Sequence, residues 1–326
     1  MDNNAKLRPL YLAKILYERT DEDHYLTTMQ LAQILEEEYG IPAHRQTIKT
    51  DIELLQQFGM DIQEVKSTQN RYNLISRQFE IAELKLLIDA VQSSKFISKE
   101  RSEQMVSKIV TLAGQHKAEE LKRNASVERR VKSENRQDLL IVDAINEAIN
   151  ARKKIAFQYF AYNVRKQKKL RHDGERYIFS PYRLIWNGDY YYVLGYSDKH
   201  QAIGSFRVDR ISARPDILSE EAVPVPADFG LDDFLATTFR MYGSECQEVE
   251  LICDNSVIDA IIDRFGTDVT IYACDMSTFR VIVRVAVSHI FFSWIFGFGG
   301  KVRIKGPEDV KEKYSELLNA AITDLR

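Results

Sequence analysis

The feature that most constrains this fold is a run of alternating aromatic and apolar residues broken once by a glycine turn. Strands are predicted over residues 177–186 and 190–196, on either side of Asn187-Gly188. An Asn-Gly pair favours a two-residue type I′ turn, in which both residues have a positive φ. The pattern therefore predicts an antiparallel hairpin at the centre of a β-rich domain.

A third strand is predicted over residues 204–211. Because side chains alternate along a strand, Arg207 and Asp209 should share one face, and Phe206 and Arg210 the other. One interpretation pairs Asp209 with Arg183 or Arg210 in a structural ion pair, with the tyrosines in the core. The other leaves the arginines available to a ligand.

These strands resemble the WYL domain. The pattern that carries the resemblance is Pro181-x-x-Leu184, Gly188, Tyr191-Tyr192-Val193 where the family has Trp-Tyr-Leu, Gly195-Tyr196 and the strand from Phe206 to Ile211. The resemblance implies a small Sm- or SH3-like β-barrel that senses an effector, which in this family is thought to be a nucleotide or nucleic acid.

The residues of this region suit an anionic, base-containing ligand. Tyrosine rings offer faces for base stacking, and arginine guanidinium groups match phosphate oxygens. The candidate effector-binding residues are Ser180, Tyr182, Arg183, Tyr192, Phe206, Arg207 and Arg210.

A cationic stretch precedes these strands and is predicted to be a loop. Its positive residues are Arg165, Lys166, Lys168, Lys169 and Arg171. Such a loop is either a solvated surface or a contact for an anionic ligand or nucleic-acid strand, and the sequence leaves both open.

The N-terminal region predicts three helices followed by a hairpin. Helices are expected over residues 6–19, from Thr27 onward, and over 45–58, with strands over 61–65 and 71–75. Thr27 and Gln30 have the spacing of a capping box. This order is typical of a winged helix-turn-helix, in which the third helix enters the major groove of DNA.

The third helix resembles that of DeoR-like regulators. The matching residues run from Thr47 to Leu55, after Thr27 and Leu31-Ala32. The chain has Gln46 and Thr50 where the family often has arginines, and His44 where it has a serine cap. Two phosphate-binding charges are therefore missing from the usual pattern.

Polar residues of the third helix and of the hairpin, together with one at the start of the second helix, are the candidate DNA contacts. They are Thr27, Arg45, Gln46, Thr47, Lys49, Thr50, Asn70, Arg71 and Tyr72. Residues 1–75 contain eight Lys or Arg and twelve Asp or Glu, a net charge of −4. That acidity favours the alternative of a dimerisation module, although the acids cluster at residues 21–23 and 36–38, away from this face.

The rest of the chain divides into a helical and a mixed region. Residues 76–135 predict amphipathic helices that connect domains and pair with a second copy, which implies a homodimer. The C-terminal pattern of strand, helix, two strands, helix and strand is the ferredoxin-like order. The expected α+β domains are 1–75 winged helix-turn-helix, 76–135 helical connector, 136–220 WYL domain and 231–326 ferredoxin-like extension.

Composition and motifs narrow the function classes. No stretch is long and apolar enough to span a bilayer, no secretory signal opens the chain, and three cysteines in no metal spacing suggest the cytoplasm. The six histidines are scattered, and no catalytic or cofactor motif is present, so no enzyme, metal or cofactor is expected. The leading hypothesis is a regulator of transcription that binds double-stranded DNA. The alternatives are a protein that binds RNA or single strands, and a dimeric scaffold.

Overall fold

The computed structural model describes residues 3–66, 70–124, 132–133, 137–227, 229–230 and 246–323. The chain divides into two compact units, residues 1–136 and 137–326. Both combine helices with small antiparallel sheets, so the predicted α+β class is confirmed.

The described residues of the first unit form six helices and a three-stranded sheet. The helices are α1 (Asn3–Arg19), α2 (Thr28–Tyr39), α3 (Arg45–Gln57), α4 (Ile81–Ser93), α5 (Lys99–Thr111) and α6 (Gln115–Asn124). The strands are β1 (Leu26–Thr27), β2 (Ile62–Val65) and β3 (Arg71–Leu74), in the order β1-β3-β2. Strand β1 was not predicted because two residues are too few to show alternation.

Local signals set the start and end of α2. The predicted capping box is present, with the Thr27 side chain accepting from the Gln30 amide and the Gln30 side chain accepting from the Thr27 amide. The helix ends at Gly40, whose φ of 65° is in the left-handed region. The apolar faces of α1, α2 and α3 meet the sheet in one core that includes Leu16, Leu31 and Ile48.

The second unit begins with a helix and seven strands. They are α7 (Asp138–Ala151), β4 (Lys153–Phe157), β5 (Phe160–Tyr162), β6 (Lys168–Leu170), β7 (Tyr177–Asn187), β8 (Tyr190–Ser197), β9 (Ala202–Arg207) and β10 (Asp216–Glu221). Five strands form an antiparallel sheet in the order β10-β4-β7-β8-β9, and β5 pairs with β6 in a separate hairpin.

Four local predictions in this region were wrong in detail. The β7–β8 turn is Gly188-Asp189, and Gly188 alone of the two has a positive φ, since Asn187 pairs with Tyr190 in the ladder. Strand β9 ends at Arg207, and residues 208–210 form a 3₁₀ turn, so the predicted alternation stops there. The predicted cationic loop contains β6. Three prolines between residues 215 and 230 predict a linker, but that segment contains β10, which pairs with β4.

The C-terminal part has the predicted order of elements. It consists of β11 (Cys246–Asp254), α8 (Ile258–Phe265), β12 (Ile271–Ala273), β13 (Thr278–Ala286), α9 (His289–Phe296), β14 (Val302–Gly306) and α10 (Glu308–Thr323). The sheet is antiparallel throughout, in the order β12-β13-β11-β14. In the parts of the chain that the structure describes, no helix has the length and apolar character needed to cross a membrane.

Candidate nucleic-acid interface and effector face

The outward face of α3 presents a row of polar side chains. Gln46, Thr50 and Glu53 are exposed, and Lys49 is half-buried with its Nζ 3.9 Å from the Glu53 carboxylate. Ile48 and Ile52 are buried on the opposite side. The Thr50 hydroxyl donates to the Gln46 carbonyl at 3.1 Å, so it bonds within its own helix. The helix therefore has its polar side toward solvent and its isoleucines toward the core, as predicted.

A buried ion pair fixes α3 against α1. The Arg8 guanidinium makes two contacts with the Asp51 carboxylate, and Asp51 is only 4% exposed. A buried carboxylate is stable only when it is paired. This pair was not predicted, although Asp51 lies on the same side of the helix as Ile48 and Leu55, and that position was the available signal.

A small polar pocket gathers several of the predicted DNA contacts. Its volume is about 190 Å³. It lies where the N-terminal ends of α2 and α3 meet the sheet, and backbone amides at helix starts favour anions. The lining residues are Thr28, Met29, Arg45, Gln46, Lys49, Asn70 and Tyr72.

Other predicted contacts serve the structure of the unit. The Tyr72 ring is buried in the core at 1% exposure, so it offers no face for stacking, although its hydroxyl donates to Glu64 at 3.2 Å. Asn70 donates to the same carboxylate at 2.7 Å. The Arg71 guanidinium lies 4.2 Å from the centre of the Tyr25 ring. The Thr27 hydroxyl is occupied by the cap of α2, and Thr47 is half-buried.

A second set of polar residues lies on one face of the β7–β8–β9 sheet. Register places Tyr192 opposite Arg207 and Arg183 opposite Leu194, so all four share that face. Arg183 is exposed, and Tyr192 and Arg207 are half-buried. We call the residues Arg183, Tyr190, Tyr192 and Arg207 the arginine–tyrosine face.

Arg207 is held in a fixed orientation by two partners. Its Nε and Nη2 donate to the two Asp209 oxygens at 3.1 and 2.8 Å. Its guanidinium lies 3.4 Å from the centre of the Tyr190 ring. Burial by itself lowers the pKa of Arg207, but the hydrogen bonds and charge of Asp209 outweigh it and raise that pKa. One interpretation assigned Asp209 to a structural ion pair, and such a pair is present, with Arg207 in place of Arg183 or Arg210.

Two predicted effector residues lie away from the arginine–tyrosine face. Ser180 is fully buried, and its hydroxyl oxygen accepts from the Val223 amide at 3.0 Å. Phe206 packs edge-on against Phe157 and Phe179, with ring centres 5.2 Å apart in both cases. It faces the opposite side of β9 from Arg207, because it directly precedes it in the strand. These positions offer no atoms to a ligand on the arginine–tyrosine face.

The segment after β10 covers part of the sheet. The Tyr182 hydroxyl donates to the Pro224 carbonyl at 3.2 Å, and Phe229 packs on the cluster of Ile185 and Leu194. Arg210 lies away from this segment, 5.3 Å from the centre of the Tyr162 ring. On this face the Arg183 side chain is exposed, whereas Tyr192 is half-buried and packs against the same Ile185 and Leu194 cluster as Phe229.

Comparison with known proteins identifies this region. The family model of the WYL domain matches residues 141–214. The chain contains a WYL domain. Those residues run from α7 to the segment that follows the 3₁₀ turn, and they include the whole arginine–tyrosine face of the WYL domain.

The whole chain was also compared with curated proteins and with solved structures. No curated protein matches it. Among solved structures it is similar to proteasome accessory factor B/C (PafBC) of Arthrobacter aurescens, with 16% sequence identity and a TM-score of 0.30. The match covers 97% of this chain and 48% of PafBC, so the chain spans about half the length of that protein.

One residue at the edge of the arginine–tyrosine face, Tyr159, was not predicted from the sequence. The Tyr159 hydroxyl accepts a hydrogen bond from the Arg207 amide at 3.2 Å. Burial raises the pKa of Tyr159 to about 12, so the phenol stays protonated at neutral pH. The Tyr159 hydroxyl thus holds the end of β9 at Arg207, whose side chain lies on the arginine–tyrosine face. Its neighbours in sequence carry no motif that would have distinguished it from the other tyrosines.

Within the described ranges of the chain, no three His, Cys, Asp or Glu side chains lie close enough to hold a metal ion. Burial raises the pKa of the Cys253 thiol to about 11, so this cysteine is a protonated core residue. The chemistry that the WYL domain and the α3 pocket offer is the recognition of anions and flat rings.

Proposed function

We propose that the chain is a DNA-binding regulator of transcription whose WYL domain binds an anionic effector and thereby changes DNA affinity. The observation that carries this proposal is the polar pocket where Arg45, Gln46, Lys49 and Asn70 converge beside an exposed helix face. A WYL domain in the same chain supplies a separate place for the effector.

The proposal assigns a role to each part of the chain. Residues 1–75 are a winged helix-turn-helix, with α3 as the recognition helix and the β2–β3 hairpin as the wing. Residues 76–135 are a helical connector, and residues 136–220 form an Sm- or SH3-like barrel. Residues 231–326 form a ferredoxin-like domain, and the antiparallel strand order of the C-terminal sheet supports that assignment. Gln46 and Lys49 read bases or phosphates, and Arg45 and Asn70 contact the backbone. Thr27, Thr47 and Tyr72 position these groups.

The test of the DNA-reading function compares two lysine variants. Lys49 and Lys85 each have an acidic partner four residues later in their helix, but Lys49 alone lines the pocket. We expect Lys49→Gln to reduce the slope of log K against log salt for a selected genomic duplex by about 0.9. Lys85→Gln should leave it unchanged. If no genomic duplex is bound better than random DNA, the proposed operator binding is refuted.

The effector is proposed to be a nucleotide or a nucleic acid that stacks on Tyr192 and pairs its phosphate with Arg183. Arg183 is exposed, so Arg183→Gln should fold normally. We expect nucleoside phosphates to raise the melting temperature of the native protein but not of this variant. Arg214→Gln, at an exposed arginine paired with Glu147, is the matched control. Equal shifts in all three proteins would contradict the assignment.

A second candidate function is favoured by the acidity of the first unit. Residues 1–75 have a net charge of −4, so this N-terminal region has no general electrostatic attraction for duplex DNA. In this alternative the protein binds RNA or single strands through the WYL domain, and residues 1–75 serve in assembly of the protein. Tight binding of single strands that depends on Arg183, together with no preference for any duplex, would favour it.

The regulator is proposed to act as a homodimer, since a two-fold pair of DNA-binding domains matches a palindromic operator. On α4, Leu86 is 69% exposed and Leu87 is 41% exposed, which gives the connector an apolar surface for a second copy. Sedimentation should give about twice the chain mass of 37.8 kDa. Leu86→Glu should yield monomers, and Lys85→Gln should not.

A further inference from the structure

The β5–β6 hairpin carries a concentration of positive charge that neither the α3 pocket nor the arginine–tyrosine face uses. From residue 148 to residue 172 the sequence contains eight Lys or Arg and no Asp or Glu, in a chain whose net charge is −3. We call the exposed residues Arg165, Lys166, Lys168, Lys169 and Arg171 the cationic hairpin.

These charges are not neutralised. In the portion of the chain that the structure describes, no acidic side chain forms an ion pair with any of the five. The nearest acid in the sequence is Asp173, two residues beyond Arg171, and it is exposed. Five like charges in a short span repel one another, and an anionic partner relieves that repulsion.

The hairpin is shaped independently of any ligand. Its tip is closed by the Asn163 amide, which donates to Gln167, and by the Lys166 amide, which donates to Asn163. The Asn163 side-chain oxygen also accepts from the Arg165 and Gln167 amides at 2.9 Å. Because these hydrogen bonds fix the tip, the backbone that carries the charges needs little further ordering when a ligand binds.

Aromatic rings at the base of the hairpin hold cations without cancelling their charge. Lys168 Nζ lies 4.9 Å from the centre of the Phe160 ring, and Arg171 lies 5.8 Å from that of Tyr159. Arg210 adds a further guanidinium, 5.3 Å from the Tyr162 ring. The Tyr162 ring is 46% exposed, so it also offers a stacking surface.

The spread of the charges selects a linear ligand. Lys168 and Lys169 point to opposite faces of the hairpin because they are successive residues of a strand. From Arg165 to Arg171 the chain reaches at most about 20 Å. A mononucleotide is too small to contact both ends, whereas a nucleic-acid backbone presents charges along the whole length.

We propose that the cationic hairpin is a second nucleic-acid contact, which binds the phosphate backbone without reading sequence. It does not depend on the operator binding proposed for α3. The backbone belongs either to a single strand or to duplex DNA, and the two sources are separated by experiment.

The test uses the full-length protein with Arg165→Gln and Lys169→Gln combined. Both side chains are exposed and distant from the core, so the melting temperature should not change. The matched control combines Lys108→Gln on α5 with Arg123→Gln on α6, both at exposed positions. The probes are a labelled oligothymidylate of about 20 nucleotides and a random-sequence duplex of about 20 base pairs, both longer than one hairpin-sized site.

Loss of two phosphate contacts should reduce the slope of log K against log salt by about 1.4 for the single strand or about 1.8 for the duplex. A reduction with the oligothymidylate alone assigns the hairpin to single strands, and a reduction with the duplex alone assigns it to duplex DNA. Unchanged slopes with both probes would overturn the proposal. So would an equal loss in the control variant, because the effect would then be one of net charge.

Discussion

At the scale of single residues, the roles of polar side chains depend on which partner they meet. Arg207 and Asp209 are two residues apart, and the guanidinium forms two hydrogen bonds with the carboxylate across the end of β9. Asp21 is equally enclosed, at 6% exposure, and caps a loop in place of pairing with an arginine. Both carboxylates make testable contributions to stability.

Replacing Arg207 should destabilise the second unit through its partner. Asp209 is 8% exposed, so Arg207→Ala leaves a nearly buried carboxylate without its counter-charge. We expect a loss of about 1–3 kcal/mol in the free energy of unfolding, with the half-exposure of Arg207 keeping the value below that of a fully buried pair. Denaturant unfolding of Arg207→Ala, Asp209→Ala and the double variant measures it. Strictly additive losses would contradict a direct interaction.

Asp21 should make the first unit sensitive to acid. Burial by itself raises the pKa of Asp21, but hydrogen bonds from His24 and from the Asp23 and His24 amides outweigh it and lower that pKa. A lowered pKa in the folded state means that the stabilisation is complete above the unfolded value of about 3.9 and is lost as the pH falls through the folded value.

We therefore expect Asp21→Ala to lower the free energy of unfolding by about 1–3 kcal/mol at pH 7, and by progressively less below about pH 4. Urea unfolding between pH 7 and pH 3 checks this. Asp23→Ala, at a side chain 71% exposed, should cause little change at any pH. A loss for Asp21→Ala that stays constant down to pH 3 would refute the assigned cause.

At the scale of elements, close approach between strands decides what the WYL sheet tolerates. Gly195 in β8 lies opposite Pro181 in β7, next to an irregularity in the register. A Cβ at Gly195 would lie 2.2 Å from the Ser180 carbonyl oxygen and 2.6 Å from the Phe179 ring. The backbone cannot yield to relieve the first contact, so the position requires glycine.

Gly195→Ala should therefore destabilise the second unit by at least about 3 kcal/mol, since it forces strands β7 and β8 apart. Gly204→Ala is the control in the neighbouring strand, because a Cβ there meets nothing within 4 Å. It should be neutral or stabilise by about 0.5 kcal/mol. Melting temperatures and soluble yields of the two variants provide the comparison. Similar values for both would show that β7 can move.

At the scale of the whole molecule, the chain consists of two units that each have their own core. Compact units with separate cores often unfold in separate cooperative transitions. Calorimetry should resolve two transitions, with Asp21→Ala lowering the first unit's transition and Gly195→Ala the second unit's. A single transition that both variants shift would show that the units are coupled.

The sequence by itself determined features that depend on nearby residues. The capping box of Thr27 and Gln30, the outward face of α3 and the order of the C-terminal elements all follow from periodicity or from hydrogen bonds within one turn. The WYL pattern is likewise local, since its hairpin pairs residues close in sequence. These signals sufficed for the α+β class and for locating both candidate sites.

Only the tertiary structure decided which polar groups remain available to a ligand. Alternation along a strand does not reveal which face is covered. Ser180 and Tyr72 were expected at sites and lie in the interior, and Phe206 is half-buried on the face opposite Arg207. Alternation placed Asp209 on the face of Arg207 but did not identify that arginine as its partner. Strand β10 depended on a pairing with β4 that nearby prolines conceal. Pairing and burial are set by residues distant in sequence, and a local pattern carries no information about them.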